Sequence, residues 1–252
     1  MSSGPAFRDH FSATAADYAR YRPDYPDRLF AYLARLAPGR DRAWDCATGS
    51  GQAARGLARR FDEVVATDAS ERQIASARPY RGVRYRVAPA EESGLEDRSV
   101  DLVTVAQALH WFDLPRFWEE VRRVLVARGV VAVWSYDLVS ISDRVDHVVD
   151  RLYRGIVGPY WPPERALVEL GYRSLDFPFA EETPPAFRME KRWSLGDLVG
   201  YLGTWSAAKR YREALGSDPI DLVRGDLAEA WGEPGRVRRA FWDLSLRVGR
   251  KT

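Results

Sequence analysis

Short apolar runs alternate with stretches of helical spacing through the first half of the chain. Ala15, Tyr18, Ala19 and Tyr21, with Phe11 just before them, share one helical face over residues 12–22, and Pro23 ends the segment. Leu29, Phe30, Leu33 and Leu36 repeat the pattern behind Pro26, which suits a first helical position, until Pro38-Gly39 stops it. Residues 43–47 predict a buried strand, 49–51 a turn, and 52–61 a helix. Strands follow at 64–68, 83–87, 100–106 and 130–136, with helices at 71–78 and 115–126 between them. The run 100–106 is almost wholly apolar, as central parallel strands are. Strand–helix alternation predicts a parallel sheet covered on both faces. After Asp137 the rhythm changes. Residues 142–153 read as a helix, 158–163 as a break, 187–193 as a strand, 195–208 and 219–231 as helices, and 237–248 as a final strand.

Composition narrows the class. With 252 residues, 46% hydrophobic and 29% charged, the chain has the make-up of a globular α/β protein. The balance of 38 basic and 36 acidic residues leaves +2, without the concentrated basic surplus of a nucleic-acid binder, so no nucleic-acid partner is expected. Cys46 is the single cysteine, which excludes an intrachain disulfide. The first residues lack the charged and apolar regions of a signal peptide, and the best apolar run, 129–134, is far shorter than a membrane span. A cytoplasmic protein without a membrane partner is therefore expected. His10, His110 and His147 are scattered, which predicts no metal site.

The candidate chemistry lies in Asp45-Cys46-Ala47-Thr48-Gly49-Ser50-Gly51, with Asp68 closing the next strand. Glycines let the backbone turn tightly and approach a ligand, and an acid after the second strand can accept both ribose hydroxyls. Gly49 to Ala54 also matches a dinucleotide fingerprint. Asp45 separates the two readings. A pyrophosphate over this turn would be repelled by a carboxylate beside it, whereas S-adenosylmethionine carries an ammonium and a sulfonium that an acid favours.

Five further segments complete a resemblance: Asp68-Ala69-Ser70, Ala88-Pro89-Ala90-Glu91, residues 99–103, Gln107-Ala108-Leu109-His110-Trp111-Phe112, and Tyr18 with Tyr21-Arg22-Pro23-Asp24-Tyr25-Pro26. In this order they resemble the class I S-adenosylmethionine-dependent methyltransferases, in the subgroup similar to trans-aconitate methyltransferase. The likeness is close over residues 7–136 and diffuse afterwards. It implies a Rossmann-like, doubly wound α/β fold: a mostly parallel seven-stranded sheet with an antiparallel last strand, N-terminal lid helices and a C-terminal helical insertion. As one domain over 1–252, it divides into lid helices (1–40), a cofactor-binding core (41–137), a helical acceptor-site region (138–236) and the final strand (237–252).

The resemblance also implies roles. Ala47, Gly49 and Gly51 line the methionine portion of the cofactor, with Ala47 standing where the family has a first glycine; alanine fits if its φ is negative. Asp68 holds the ribose, Ala69 and Gln73 flank the adenosine, and Ala90 and Glu91 meet the adenine edge. Gln107 and Ala108 pass close to the sulfonium. Tyr18 and Arg22 belong to a lid, with Arg22 near the methionine carboxylate. Trp205 and Tyr201 are expected at the acceptor. His110 and Trp111 are the catalytic candidates, His110 as a group that orients the acceptor if this is a carboxylate or as a base if it is an amine or phenol.

The expected reaction moves a methyl group from S-adenosylmethionine, leaving S-adenosylhomocysteine. Three readings stay open from sequence. One is a small-molecule acceptor, carboxylates among the candidates. The others are a protein, tRNA or lipid-head-group acceptor, and a non-catalytic cofactor-binding domain.

Overall fold

The computed structural model describes residues 21–233 and 235–252. Its first helix, α1 (Asp27–Leu36), buries Leu29, Phe30, Leu33 and Ala34, the apolar stripe read from the sequence. A parallel sheet follows, built from β1 (Arg42–Cys46), β2 (Glu63–Asp68), β3 (Val83–Val87), β4 (Val100–Ala106) and β5 (Leu125–Tyr136). Helices α2 (Gln52–Leu57), α3 (Glu71–Ser76) and α4 (Leu114–Val124) connect them. These five strands lie in the order β3-β2-β1-β4-β5.

Period-two alternation divides the sheet's side chains between its faces. Ala43, Val64, Ala66, Leu102, Ala132 and Trp134 pack with α1 and α2. Trp44, Cys46, Val65, Val103, Val105 and Val133 pack with Phe117, Trp118 and Val121 of α4. Full burial of a side chain the size of valine, leucine or phenylalanine in these cores stabilises the fold by about 1.5–3 kcal/mol. β5 starts five residues before the expected 130. Its ladder with β4 shifts between Val100 and Leu102, and Arg128 takes a φ of 62°, so residues 126–129 form a bulge.

Beyond β5 lie α5 (Asp143–Asp150), a π-helical turn (Arg151–Ile156), α6 (Arg165–Glu169), β6 (Ala180–Glu182), β7 (Phe187–Trp193), α7 (Leu195–Gly203), α8 (Ser206–Leu215), α9 (Arg224–Trp231) and β8 (Arg238–Arg250). The expected mostly parallel sheet is present, with eight strands among the described residues. The strand expected over 187–193 is β7, and within the same largely helical region the short β6 also pairs with β8. Pro184 and Pro185 separate those two strands; a proline cannot donate to a ladder, so the edge is interrupted. The helix expected over 195–208 is two helices, since Trp205 adopts an extended φ of −65° and ψ of 136° between them. The antiparallel last strand is present as β8. Its Leu244 pairs with Tyr136 of β5 on one side and with Phe187 of β7 on the other.

A third core, with Val145, Leu152, Trp193, Leu198, Tyr201, Leu227, Trp231 and Trp242, ties these helices to β7 and β8. No helix among the described residues is long and apolar enough to cross a membrane. The expected helix at 12–22 falls almost wholly outside the described residues, as does Tyr18.

Candidate active site

The C-terminal ends of β1, β2 and β4 are neighbours in the sheet and carry the turn residues. This is the end of a parallel sheet where loops can converge on a ligand. Ala47 has a φ of 53°, Gly49 of 56° and Gly51 of 82°. The negative φ expected for Ala47 is thus corrected: alanine occupies the left-handed region, which costs a residue with a Cβ about 1–2 kcal/mol. Gly51 is needed for space as well, because a Cβ there would run into the Tyr85 ring. The Gly49 N–H donates to Asp68 Oδ2 (2.9 Å), and the Ser70 N–H donates to Asp68 Oδ1 (2.9 Å). Asp68 is 9% exposed and so joins the glycine turn to the start of α3, where Ser70 caps the Gln73 N–H. Ala69 is exposed and Gln73 half-buried beside it.

Asp45 is placed differently from expectation. Its side chain is 0% exposed, under the turn instead of facing a ligand. Thr48 donates to Oδ2 (2.6 Å) and Thr104 to Oδ1 (2.8 Å). Burial pushes its pKa up to about 6, against these hydroxyls and the Ala54 backbone N–H, which favour the charged form. Asp45 therefore holds the β1 turn against β4 and the start of α2. Ala90 is buried, and the Glu91 carboxylate accepts from the Asp113 N–H (2.9 Å), which fastens the loop after β3 to the start of α4.

The second part of the site is a cleft beyond β4. Arg22, Gln107, His110, Trp111, Tyr201 and Trp205 all line it, so six of the residues singled out in the sequence meet there. Gln107 sits at a φ of 59°, its amide donating to the Tyr136 carbonyl (2.9 Å). Ala108 is buried at the head of the turn that presents His110 and Trp111, whose rings lie 4.6 Å apart. Trp111 is 38% exposed at the cleft. Arg22 donates to the Tyr136 hydroxyl (3.1 Å) and lies over the Tyr201 ring at 5.2 Å. The Tyr201 hydroxyl accepts from Trp242 Nε1 (3.1 Å), which fixes the ring against β8.

Further groups at the cleft and buried behind it come from the region where sequence patterning faded. Arg165 donates to the Tyr153 hydroxyl (2.5 Å) and to Asp137 (2.7 Å) and lies over the Trp161 ring at 5.0 Å. The Tyr172 hydroxyl lies 2.9 Å from His110 Nδ1. Burial and the Arg165 charge push the His110 pKa down to about 4, so its imidazole is neutral near pH 7. The only sequence signal for this group was the aromatic, proline-rich break at 158–163, which contains Trp161.

The sequence of residues 44–133 matches the methyltransferase domain family. Over 229 residues the chain is 35% identical to a protein of Dictyostelium discoideum provisionally named a methyltransferase, covering 89% of this chain and 87% of that protein. The chain belongs to the methyltransferase family. A structure from Anaeromyxobacter dehalogenans, presented as a candidate type II methyltransferase, agrees with this methyltransferase at 48% identity and a TM-score of 0.87, covering 91% of this chain and 98% of that one. CRG1 of Saccharomyces cerevisiae, provisionally named an S-adenosylmethionine-dependent methyltransferase, is 31% identical over 131 residues, 48% of this chain and 45% of its own. The methyl donor of this methyltransferase is S-adenosylmethionine. The positive-φ turn at Ala47, Gly49 and Gly51 and the Asp68 carboxylate at the end of β2 fit such a group, since they leave backbone and an acceptor at the sheet's C-terminal edge.

Proposed function

We propose that this methyltransferase acts on a small molecule that enters the cleft as an oxyanion, with a carboxylate as the preferred acceptor and a methyl ester as product. The observation that carries this reading is Arg165, a guanidinium locked by Tyr153, Asp137 and Trp161 in the cleft that also holds neutral His110. A carboxylate is ionised near neutral pH and needs no base. It does need positive charge and donors, which Arg165 and Arg22 supply from the lining of the cleft; a bidentate guanidinium suits a carboxylate. The aromatic enclosure by Trp111, Trp161, Tyr201 and Trp205 favours a compact acceptor over a macromolecule.

When bound, S-adenosylmethionine supplies a methyl group on an electrophilic sulfonium. In this reading Ala47, Gly49 and Gly51 line its methionine part and Asp68 receives the ribose hydroxyls. Ala69 and Gln73 flank the adenosine, while Ala90 and Glu91 border the adenine. Gln107 and Ala108 bring the end of β4 beside the reacting methyl. Asp45 works through the turn it supports. Aromatic faces in the cleft stabilise a nearby cation by about 0.5–2 kcal/mol each and exclude water. Holding acceptor and methyl in line is then the protein's main contribution.

The test is a metabolite screen by mass spectrometry. Purified protein and S-adenosylmethionine are added to a cell extract, and products gaining a methyl group are identified. Methyl esters, formed with release of S-adenosylhomocysteine, are expected. Methylated amines or phenols as the only products would overturn the carboxylate reading.

A further inference from the structure

We propose that Tyr172 sets the proton position on His110, so that His110 meets the acceptor as a neutral hydrogen-bond donor through Nε2 and removes no proton from it. This inference rests on the acceptor cleft just described. Tyr172 is fully buried, and its hydroxyl lies 2.9 Å from His110 Nδ1, with the two rings inclined by 27° and their centroids 5.9 Å apart. A buried hydroxyl must place its proton on an acceptor. Among the described residues, Nδ1 is the acceptor recorded for it, while the Leu109 backbone N–H donates to the phenol oxygen. Nδ1 therefore accepts. A neutral imidazole that accepts at Nδ1 carries its hydrogen on Nε2. With Nδ1 committed to Tyr172, Nε2 is the nitrogen that His110 brings to the cleft it lines.

The backbone points the same way. Tyr172 has a φ of 62° and follows Gly171 at 58°. A bulky side chain in the left-handed region is an outlier that persists where its surroundings over-determine it, and such residues cluster at functional sites. This pair of left-handed residues ends the α6 segment and brings the Tyr172 ring against the turn that carries His110.

The groups around the imidazole suit a donor. Arg165 faces it from α6, Tyr172 from the chain beyond α6, and Trp111 from its own turn. Arg22, Tyr136, Asp137 and Tyr201 share the cleft, with Asp137 paired to Arg165. Burial and the Arg165 cation oppose a second proton on the ring. A donor at Nε2 serves an acceptor that arrives as an oxyanion; a hydrogen already on Nε2 bars that nitrogen from acting as a base.

The test uses nitrogen NMR on full-length protein labelled at histidine, free and bound to S-adenosylhomocysteine, with His110→Gln assigning the signal among the three histidines. Near neutral pH, His110 is expected to show hydrogen on Nε2 and a bare Nδ1, and to remain neutral over roughly pH 5–8. In Tyr172→Phe a measurable fraction of the hydrogen is expected to move to Nδ1. Hydrogen on Nδ1, or a charged ring near neutral pH, in the wild type overturns the proposal, and so does an unaltered tautomer in folded Tyr172→Phe. If that variant does not fold, the wild-type signal decides alone. The product screen described above separates the two levels. Methyl esters together with the wrong tautomer remove this inference alone, whereas methylated amines or phenols as the only products remove the reading of the cleft beneath it.

Discussion

Asp68 and Asp45 are two carboxylates with opposite situations. Asp68 takes one backbone N–H on each oxygen, and a carboxylate offers about four acceptor positions in all. Asp68→Ala is expected to weaken S-adenosylhomocysteine binding by roughly tenfold or more in calorimetry, since hydrogen bonds to a charged group contribute about 1.5–3 kcal/mol. Asp45 is sealed, and its pKa is raised from 3.8 to about 6. A carboxyl that is harder to ionise folded than unfolded contributes stability below its unfolded value, and loses it as pH rises through its folded value. Denaturant unfolding of wild type minus Asp45→Asn should therefore show wild-type stability falling between pH 3.8 and about 6, then level. That both acids matter was legible in the sequence, because an acid beside a glycine turn and another at the next strand's end have few other reasons to coincide. That one faces outward and the other is enclosed was not. It depends on Thr104, 59 positions away in the chain.

At the scale of elements, the strand and helix order through β5 followed from periodicity, because parallel strands covered on both faces leave continuous apolar runs. In the C-terminal half the strands at 187–193 and 237–248 were legible as well, but the turns were not, because they depend on tertiary packing. The break between α7 and α8 contains neither glycine nor proline at Trp205; it exists because the Trp205 ring packs among Tyr153, Trp161 and Tyr201. The short edge strand β6 is three residues long and lacks an alternating pattern. By contrast, α7 is stopped at its start by a reciprocal cap: the Asp197 N–H donates to Ser194 Oγ (3.3 Å), and the Ser194 N–H donates to Asp197 Oδ2 (2.9 Å). Ser194→Ala is expected to cost about 1 kcal/mol in denaturant unfolding. Because α7 carries Tyr201 into the cleft and not into the glycine turn, S-adenosylhomocysteine affinity should stay unchanged in the same variant.

At the scale of the whole molecule, the cofactor end and the acceptor cleft are built by different parts of the chain around one sheet. A ligand that binds the folded state alone stabilises it by about 2.7 kcal/mol at a hundred times its dissociation constant. Thermal unfolding should accordingly shift upward with S-adenosylmethionine or S-adenosylhomocysteine and stay unmoved by NAD, whose pyrophosphate would meet a Gly49 N–H already committed to Asp68. The seam between the two parts is β8, which pairs with β5 along residues 244–250 and with β7 along 238–244. Choice of substrate is thus not carried on a detachable cassette. A chimera that imports only residues 138–236 from a relative would lay a foreign β7 on a native β8 and disturb every pair of that ladder. Divergence toward new acceptors, in nature or by recombination in the laboratory, has to exchange the segment together with its closing strand, or else alter the cleft one side chain at a time.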